Sequence, residues 1–221
     1  MNDISSVAHS RSVKSATADG DASGRRHSDV ASLATSRASE RGRLFYLMGA
    51  SGSGKDSILR WIGSRLDDND RVMVAHRYLT RASDANEAGL TLSESEFKRR
   101  VHLGCYALHW CTHGVHYGVG IEIDAWREKG LNVLVNGSRG HLGDAFARYP
   151  DLHAIALRVD PEILATRLRK RGRETGSEVA ARLVRGIQSF NVPRHCLMHE
   201  VRNDGALDEA AAAVLALVRN E

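Results

Sequence analysis

One glycine-rich heptapeptide constrains the fold of this 221-residue chain more than any other feature of its sequence. A short apolar run at residues 44–48, typical of a strand buried on both faces, comes directly before it. The segment that follows, from Lys55 to Leu66, carries apolar side chains at helical spacing. This arrangement predicts a phosphate-binding P-loop, which consists of Gly49, Ala50, Ser51, Gly52, Ser53, Gly54 and Lys55.

Each part of such a loop has a physical role. The glycines let backbone N–H groups turn inward and surround phosphate oxygens, and the helix that follows adds the positive end of its dipole. Lys55 adds a full positive charge beside the outer phosphates, so we expect it to act in catalysis as well as in binding. The expected ligand is ATP with Mg²⁺, and the binding set extends to Asp56 and Ser57.

Asp56 departs from the usual pattern, in which the residue after the lysine is Ser or Thr with a hydroxyl on Mg²⁺. A carboxylate so near a triphosphate would repel it unless a cation lay between them. One hypothesis is therefore that Asp56 contacts the metal, directly or through water. The alternative is that Asp56 is simply a favourable first-turn helix residue.

The remaining pattern alternates strands with helices, which predicts an α/β fold with a parallel sheet covered on both faces. Ser93 and Asp124 are predicted helix caps, and Pro161 is a predicted first-turn proline. The predicted strands are 44–48, 71–75, 131–135 and 154–159, and the predicted helices are 55–66, 94–103, 124–129, 161–171, 177–189 and 207–218.

The first part of the chain differs in composition from the rest. Residues 1–41 are rich in Ser, Ala and Arg without an apolar period, which predicts a disordered tail before a folded P-loop domain at 42–221. Three cysteines and no membrane-length apolar run favour a cytoplasmic protein without a membrane partner. The net charge of +4 suits phosphorylated substrates, so no nucleic-acid partner is expected, and a homo-oligomer is left open.

Arginines follow the P-loop in two groups. Arg77 and Arg81 offer planar, charged forks suited to phosphate oxygens. We predict that a second group of arginines is catalytic, because it could stabilise the charge on a phosphoryl group during transfer. The alternative is that these arginines form a solvated basic face. The group consists of Arg167, Arg171 and Arg173.

This layout resembles the guanylate kinase family over about residues 43–220. The resemblance implies a nucleoside-monophosphate-kinase-like three-layer fold with a small acceptor-binding region and a helical lid. It implies that Thr80 and Arg81 hold the acceptor phosphate, that Tyr117 belongs to the same site, and that the second arginine group lies in the lid. Two features depart from that family: residues 105–116 contain no acid to read guanine, and Gly89-Leu90-Thr91 replaces a phosphate-binding tyrosine.

A closer resemblance is to the ribose 1,5-bisphosphate phosphokinases of phosphonate breakdown, the PhnN type. Four segments in the right order carry it: 49–57, 75–81, 117–124 and 133–139. The resemblance implies the transfer of a phosphoryl group from ATP to ribose 1,5-bisphosphate, giving 5-phosphoribosyl 1-diphosphate. It also implies that an aspartate at position 56 is typical of this branch.

The assignment is chemically coherent, because a phosphate acceptor is already ionised and needs no general base. Asn136 stands where guanylate kinases carry an aspartate, so Asp56 is hypothesised to supply the missing carboxylate; otherwise Asn136 only turns the chain before Gly137. Glu122 and Asp124 are acid candidates for ribose hydroxyls, although the cap role is favoured for Asp124.

Other classes fit less well. One cluster of cysteines and histidines suggests a zinc site, but its spacing fits no established zinc arrangement. The wall of a ligand pocket is the favoured interpretation of this cluster. The residues in question are Cys105, His109, Cys111, His113 and His116. A non-catalytic guanylate-kinase-like module would be expected to lose Lys55, and a GTPase would carry an N-K-x-D string. The enzyme alternative is a divergent guanylate or other nucleoside monophosphate kinase.

Overall fold

The strand that leads into the P-loop lies at the centre of a five-stranded parallel sheet. The computed structural model describes residues 41–82, 89–171 and 190–219. In chain order, the strands of this part are β1 (Leu44–Gly49), β2 (Val72–Val74), β3 (Arg77–Leu79), β4 (Gly89–Thr91), β5 (Tyr106–Thr112), β6 (Val115–Gly120), β7 (Asn132–Asn136), β8 (His153–Arg158) and β9 (Leu197–Arg202). The large sheet has the order β2-β7-β1-β8-β9, and all its pairings are parallel.

Helices cover both faces of this sheet. In the same part of the chain they are α1 (Lys55–Gly63), α2 (Glu94–His102), α3 (Glu122–Glu128), α4 (Leu142–Arg148), α5 (Pro161–Arg171) and α6 (Leu207–Arg219). A 3₁₀ turn, Arg139–His141, joins β7 to α4. The prediction of an α/β fold with a parallel central sheet is therefore confirmed.

The continuous apolar run of β1 separates two cores. Leu44, Tyr46 and Met48 pack on one face with side chains of α3 and α4. Phe45 and Leu47 pack on the other face with side chains of α1 and α6. Successive side chains of a strand point to opposite faces, so a strand buried on both faces must be apolar throughout. This is the three-layer arrangement.

A second, smaller sheet stands beside the first. Its order is β4-β3-β6-β5, with β3 parallel to β4 and antiparallel to β6, and β5 antiparallel to β6. Helix α2 packs on it through Phe97, whose ring stacks on Tyr106 at 4.6 Å between centroids. A small region is thus present where the family resemblance implied one.

Most predicted elements are confirmed to within three residues at each end. The Ser93 cap is also confirmed, because its Oγ accepts a hydrogen bond from the Glu96 N–H at 3.1 Å. The strands of the small sheet and β9 were not predicted, since their histidines, glycines and charged residues blur the apolar alternation. The predicted helix at 177–189, the greater part of the predicted tail at 1–41 and Arg173 lie outside the described residues.

The predicted cap role of Asp124 is wrong. Helix α3 begins at Glu122 with Ile121 as its cap residue, so Asp124 lies inside the first turn. Its carboxylate accepts hydrogen bonds from Tyr149 Oη at 2.7 Å and from Arg148 Nη2 at 3.0 Å. Asp124 therefore links α3 to the end of α4 and does not cap the free N–H groups at the start of α3.

Within the described residues, no helix combines the length and the apolar character needed to cross a membrane.

Tyr46 connects β1 to the turn that follows β7. Its hydroxyl donates to the Ser138 carbonyl at 3.0 Å and accepts from the Ser138 N–H at 2.8 Å. Its ring also lies against Gly137, where an added Cβ would be 2.3 Å from a ring carbon. Burial raises the pKa of Tyr46 to about 12, so the hydroxyl is protonated at neutral pH.

We predict that Tyr46→Phe lowers the free energy of unfolding by about 1–3 kcal/mol, because two backbone groups of Ser138 lose their partner. Urea unfolding followed by circular dichroism measures it. The matched control is Tyr78→Phe, since the Tyr78 hydroxyl bonds to no other described residue. Equal losses in the two variants would contradict the role assigned to the Tyr46 hydroxyl.

Candidate active site

The P-loop joins the carboxyl end of β1 to the first turn of α1 as a tight turn. Gly52 and Gly54 have φ values of 85° and 97°, which residues with a side chain rarely adopt. The Ser53 N–H donates to the Ala50 carbonyl at 3.2 Å, and the Ile58 N–H donates to the Gly54 carbonyl at 2.9 Å. The loop therefore presents a turn of backbone amides at a helix N-terminus, which is an anion-binding arrangement.

Lys55 lies back across this loop. Its ammonium group donates to the carbonyls of Gly49 and Ala50 at 2.9 and 3.0 Å. The positive charge is thereby placed beside the turn before any anion binds. Of the other predicted loop residues, Ser51 is exposed, Ser53 is buried, and Ser57 is half-buried in the first turn of α1.

Asp56 is the centre of a polar cluster. Its Oδ1 accepts a hydrogen bond from Asn136 Nδ2 at 2.7 Å and lies 3.6 Å from Arg77 Nη2. These residues come from α1, the end of β7 and β3, so the cluster joins the P-loop to the small sheet. Asn136 is buried, and its Oδ1 has no hydrogen-bond partner among the described residues. Asp56 and Asn136 are therefore side by side, as the hypothesis that Asp56 supplies the carboxylate missing at Asn136 requires.

Arg77 also contacts Tyr117. Its guanidinium carbon lies 4.9 Å from the centre of the Tyr117 ring, a cation–π distance. The Tyr117 ring stacks on Trp110 at 5.7 Å, and Trp110 stacks on His141 at 5.9 Å. A row of rings thus runs from the small sheet to the 3₁₀ turn after β7, with Arg77 at one end of it. Arg77 and Tyr117 are predicted site residues, whereas the sequence patterns indicate no role for Trp110 or His141.

Thr80 and Arg81 make backbone contacts. The Thr80 hydroxyl accepts from the His116 N–H at 3.0 Å, and the Thr80 N–H donates to the His116 carbonyl at 3.2 Å. Arg81 donates from Nη1 to the Ala82 carbonyl at 2.9 Å. In this structure Thr80 thus joins the end of β3 to the start of β6, while the guanidinium of Arg81 contacts the carbonyl of the next residue.

A cavity of about 200 Å³ opens beside the start of the P-loop. It lies at the carboxyl ends of β1 and β8, the edge at which ligands bind in parallel sheets. Two arginines line it, Arg139 from the turn after β7 and Arg158 from the end of β8, and the guanidinium carbon of each lies 5.9 Å from the centre of the Phe190 ring. Burial and the positive charge of Arg158 lower the pKa of Arg139. Sequence reasoning included Arg139 in a motif without assigning it a function.

The predicted lid arginines are only partly visible. Arg167 lies on α5, where its Nη1 donates to the Asn203 carbonyl at 2.8 Å. Arg171 is the last described residue of α5, and nothing is described of its side chain. Arg167 is half-buried, and its guanidinium contacts the residue that follows β9.

No group of three or more His, Cys, Asp or Glu side chains that could hold a metal ion occurs in residues 41–82, 89–171 and 190–219. Cys111 and His116 are directly opposite each other on β5 and β6, whereas His113 lies in the turn between these strands. Glu122, the other acid candidate, folds over Gly120, where an added Cβ would be 1.8 Å from its Oε2.

Comparison with known proteins agrees with this geometry. A family model described as an AAA domain matches residues 46–184. A ribose 1,5-bisphosphate phosphokinase PhnN from Achromobacter xylosoxidans is 52% identical over 179 residues, which are 81% of this chain and 93% of that protein. The PhnN protein of Thiobacillus denitrificans is 46% identical over 80% of this chain and 93% of its own length. A guanylate kinase structure from Anaplasma phagocytophilum aligns with a TM-score of 0.59 at 16% identity, covering 82% of this chain and 86% of that one.

The fold and the loop define a P-loop protein of the guanylate-kinase-like architecture. The identity to the two phosphokinases, over nearly the whole length of each, is more specific than the shared fold. The chain belongs to the PhnN family of ribose 1,5-bisphosphate phosphokinases.

We predict that Gly54→Ala weakens ADP binding about tenfold or more, because its φ of 97° is strained for alanine and the new Cβ would lie 2.5 Å from Asn203 Nδ2. Calorimetric titration with ADP measures the affinity. Gly63→Ala is the control, since nothing lies within 4 Å of an added Cβ at this last position of α1. Unchanged ADP affinity in Gly54→Ala would contradict the cradle assigned to this loop.

Proposed function

We propose that this chain transfers the γ-phosphoryl group of ATP to ribose 1,5-bisphosphate. A phosphate oxygen of the acceptor forms a new bond to the γ-phosphorus, the bond between that phosphorus and the β,γ-bridging oxygen breaks, and ADP leaves. Transfer to the phosphate on C1 gives 5-phosphoribosyl 1-diphosphate. The proposal assigns this activity to residues 42–221, with residues 1–41 as a tail that the reaction does not need.

The observation that carries this proposal is the cluster of Asp56, Asn136 and Arg77 beside the P-loop. It places a guanidinium on the small sheet next to the residue that follows the P-loop lysine. An anionic acceptor held by that guanidinium would lie close to the outer phosphate of a nucleotide in the loop. The high identity to phosphokinases of this name supports the choice of ribose 1,5-bisphosphate as that acceptor.

The protein residues have an electrostatic and positional task. The acceptor phosphate is ionised at neutral pH, so no side chain has to remove a proton from it. Lys55 and the arginines offset the repulsion between two polyanions, with Arg167, Arg171 and Arg173 assigned to the transferring group as predicted. Arg77 orients the acceptor, and Tyr117 fixes Arg77 by contact with its guanidinium. Thr80 supports this site through its bond to β6, and Arg81 is the second acceptor arginine of the proposal.

The oxygen atoms beside the P-loop fit Mg²⁺. This ion prefers oxygen ligands and is commonly bound by one or two carboxylates together with substrate phosphates. Asp56 offers a carboxylate, and Asn136 offers a buried amide oxygen that has no partner among the described residues. We therefore assign Asp56 to the metal, with Asn136 orienting it. When bound, the ion would neutralise charge on the nucleotide phosphates.

The acceptor assay is the primary test. We predict that ADP release from ATP and Mg²⁺ requires ribose 1,5-bisphosphate, and that GMP and AMP give less than about one hundredth of that rate. The reason is that residues 105–116 offer no carboxylate to accept the N1–H and amino group of guanine. A coupled assay of ADP with each acceptor, and with none, measures this. Faster turnover with GMP would identify a divergent guanylate kinase.

A second test addresses the metal role of Asp56. We predict that Asp56→Asn raises the Mg²⁺ concentration needed for half-maximal activity about tenfold or more, because a charged ligand becomes neutral. Titration of activity with MgCl₂ at fixed ATP measures it. Asp67→Asn is the control, since Asp67 is exposed after the end of α1. The same Mg²⁺ dependence in wild type and Asp56→Asn would remove Asp56 from the metal site.

A further inference from the structure

Asn203 is a buried polar residue that neither the sequence analysis nor the proposed reaction uses. It follows β9 directly, and only 2% of its surface is exposed. Its side-chain Nδ2 donates a hydrogen bond to the Ser53 carbonyl in the P-loop at 2.8 Å, across 150 residues of sequence. Buried amides of this kind are expensive to leave without a partner, so the bond fixes both groups.

The Ser53 carbonyl is significant because of the peptide plane to which it belongs. In a trans peptide the C=O and the following N–H point in opposite directions. Holding the Ser53 oxygen toward Asn203 therefore turns the Gly54 N–H the other way, away from the asparagine. Because Gly52 and Gly54 have no Cβ, sterics restrict this part of the loop only weakly, and the bond from Asn203 favours the observed orientation, in which both glycines have positive φ.

The asparagine also occupies the space that Gly54 leaves. A Cβ added to Gly54 would lie 2.5 Å from Asn203 Nδ2. The glycine and the amide are thus packed against each other. A rotation of the Ser53–Gly54 peptide would break the bond between the Ser53 carbonyl and Asn203 Nδ2. The Asn203 Oδ1 and the Ser53 Oγ are buried and have no hydrogen-bond partner among the described residues.

The backbone of Asn203 is held at both of its polar groups. Its N–H donates to the Arg158 carbonyl at the end of β8, at 2.8 Å. Its carbonyl accepts from Arg167 Nη1 on α5, also at 2.8 Å. The carboxylate of the neighbouring Asp204 accepts a hydrogen bond from the Asp160 N–H, so a second bond joins the segment after β9 to the segment after β8. Asn203 therefore connects the end of β8 and an arginine of α5 to the P-loop.

We propose that Asn203 is a positioning residue that holds the P-loop in its phosphate-binding form and links that form to Arg167. The proposal rests on the proposed function for the identity of the anion, a nucleoside di- or triphosphate. Asn203 acts through the Ser53–Gly54 peptide and does not itself touch the acceptor. Its loss acts on nucleotide phosphate binding and leaves the acceptor site on the small sheet intact.

The test compares two asparagines that make the same kind of bond. Asn132 donates from Nδ2 to the Val218 carbonyl at 2.7 Å, at the opposite end of the sheet from the P-loop. Asn203→Asp and Asn132→Asp each keep the shape and replace the donor with an acceptor. Asn203→Ser retains a hydroxyl donor and serves as a milder variant, should Asn203→Asp not fold.

We expect Asn203→Asp to weaken ADP binding and to raise the KM for ATP about tenfold or more, with the KM for the acceptor within about twofold of wild type. Asn203→Ser is expected to show a smaller loss of ADP affinity and a smaller rise in the KM for ATP than Asn203→Asp. Asn132→Asp is expected to lower the urea midpoint while ADP affinity stays within about twofold. Calorimetry with ADP, steady-state kinetics and urea unfolding give these values.

The outcomes separate the two proposals. If wild type binds ADP and Asn203→Asp binds it equally well, the positioning role is wrong and the proposed function stands. If Asn132→Asp loses as much ADP affinity as Asn203→Asp, the effect is general destabilisation and the positioning role is also wrong. If wild type binds no ADP, the proposed nucleotide is wrong, and the inference built on it is overturned with it.

Discussion

The parallel pairing of β1 with β7 on one side and β8 on the other is the constraint on which the site depends. It brings the carboxyl ends of three strands to one edge, and each end delivers a polar residue or turn there. β1 delivers the P-loop, β7 delivers Asn136 and β8 leads to Arg158. Since β1 is buried on both faces, its apolar side chains fix the register and therefore the position of the phosphate-binding turn.

Charge then determines what this edge can bind. The carboxylate of Asp56 accepts a hydrogen bond from Asn136 and lies 3.6 Å from the guanidinium of Arg77 on the small sheet. This arrangement holds the guanidinium of Arg77 close to the P-loop. Support behind the loop is polar as well, because Asn203 and Arg167 join the loop to β8 and α5. The P-loop is thus linked to the small sheet through Asp56 and Arg77, and to α5 through Asn203 and Arg167.

The sequence predicted the parts whose signals are local. The apolar run of β1, the glycines with the lysine, and the Ser93 cap each depend on neighbouring residues, and all three are confirmed. Asp124 was misjudged because its partners, Arg148 and Tyr149, are about 25 residues away. Asn203 gave no signal for a similar reason: its bond to Ser53 spans 150 residues and leaves no periodic pattern. The adjacency of Asp56 and Asn136 was predicted only through a family resemblance.

The phosphate of ribose 1,5-bisphosphate that receives the phosphoryl group can be identified by phosphorus-31 NMR of the product. The purified chain is incubated with ATP, Mg²⁺ and ribose 1,5-bisphosphate, and the spectra are followed over time. We expect loss of the C1 phosphomonoester signal and growth of two coupled diphosphate doublets in step with ADP, while the C5 phosphate signal remains a monoester. An unchanged C1 signal while ATP is consumed, or a new diphosphate on C5, would contradict the proposed transfer to the phosphate on C1.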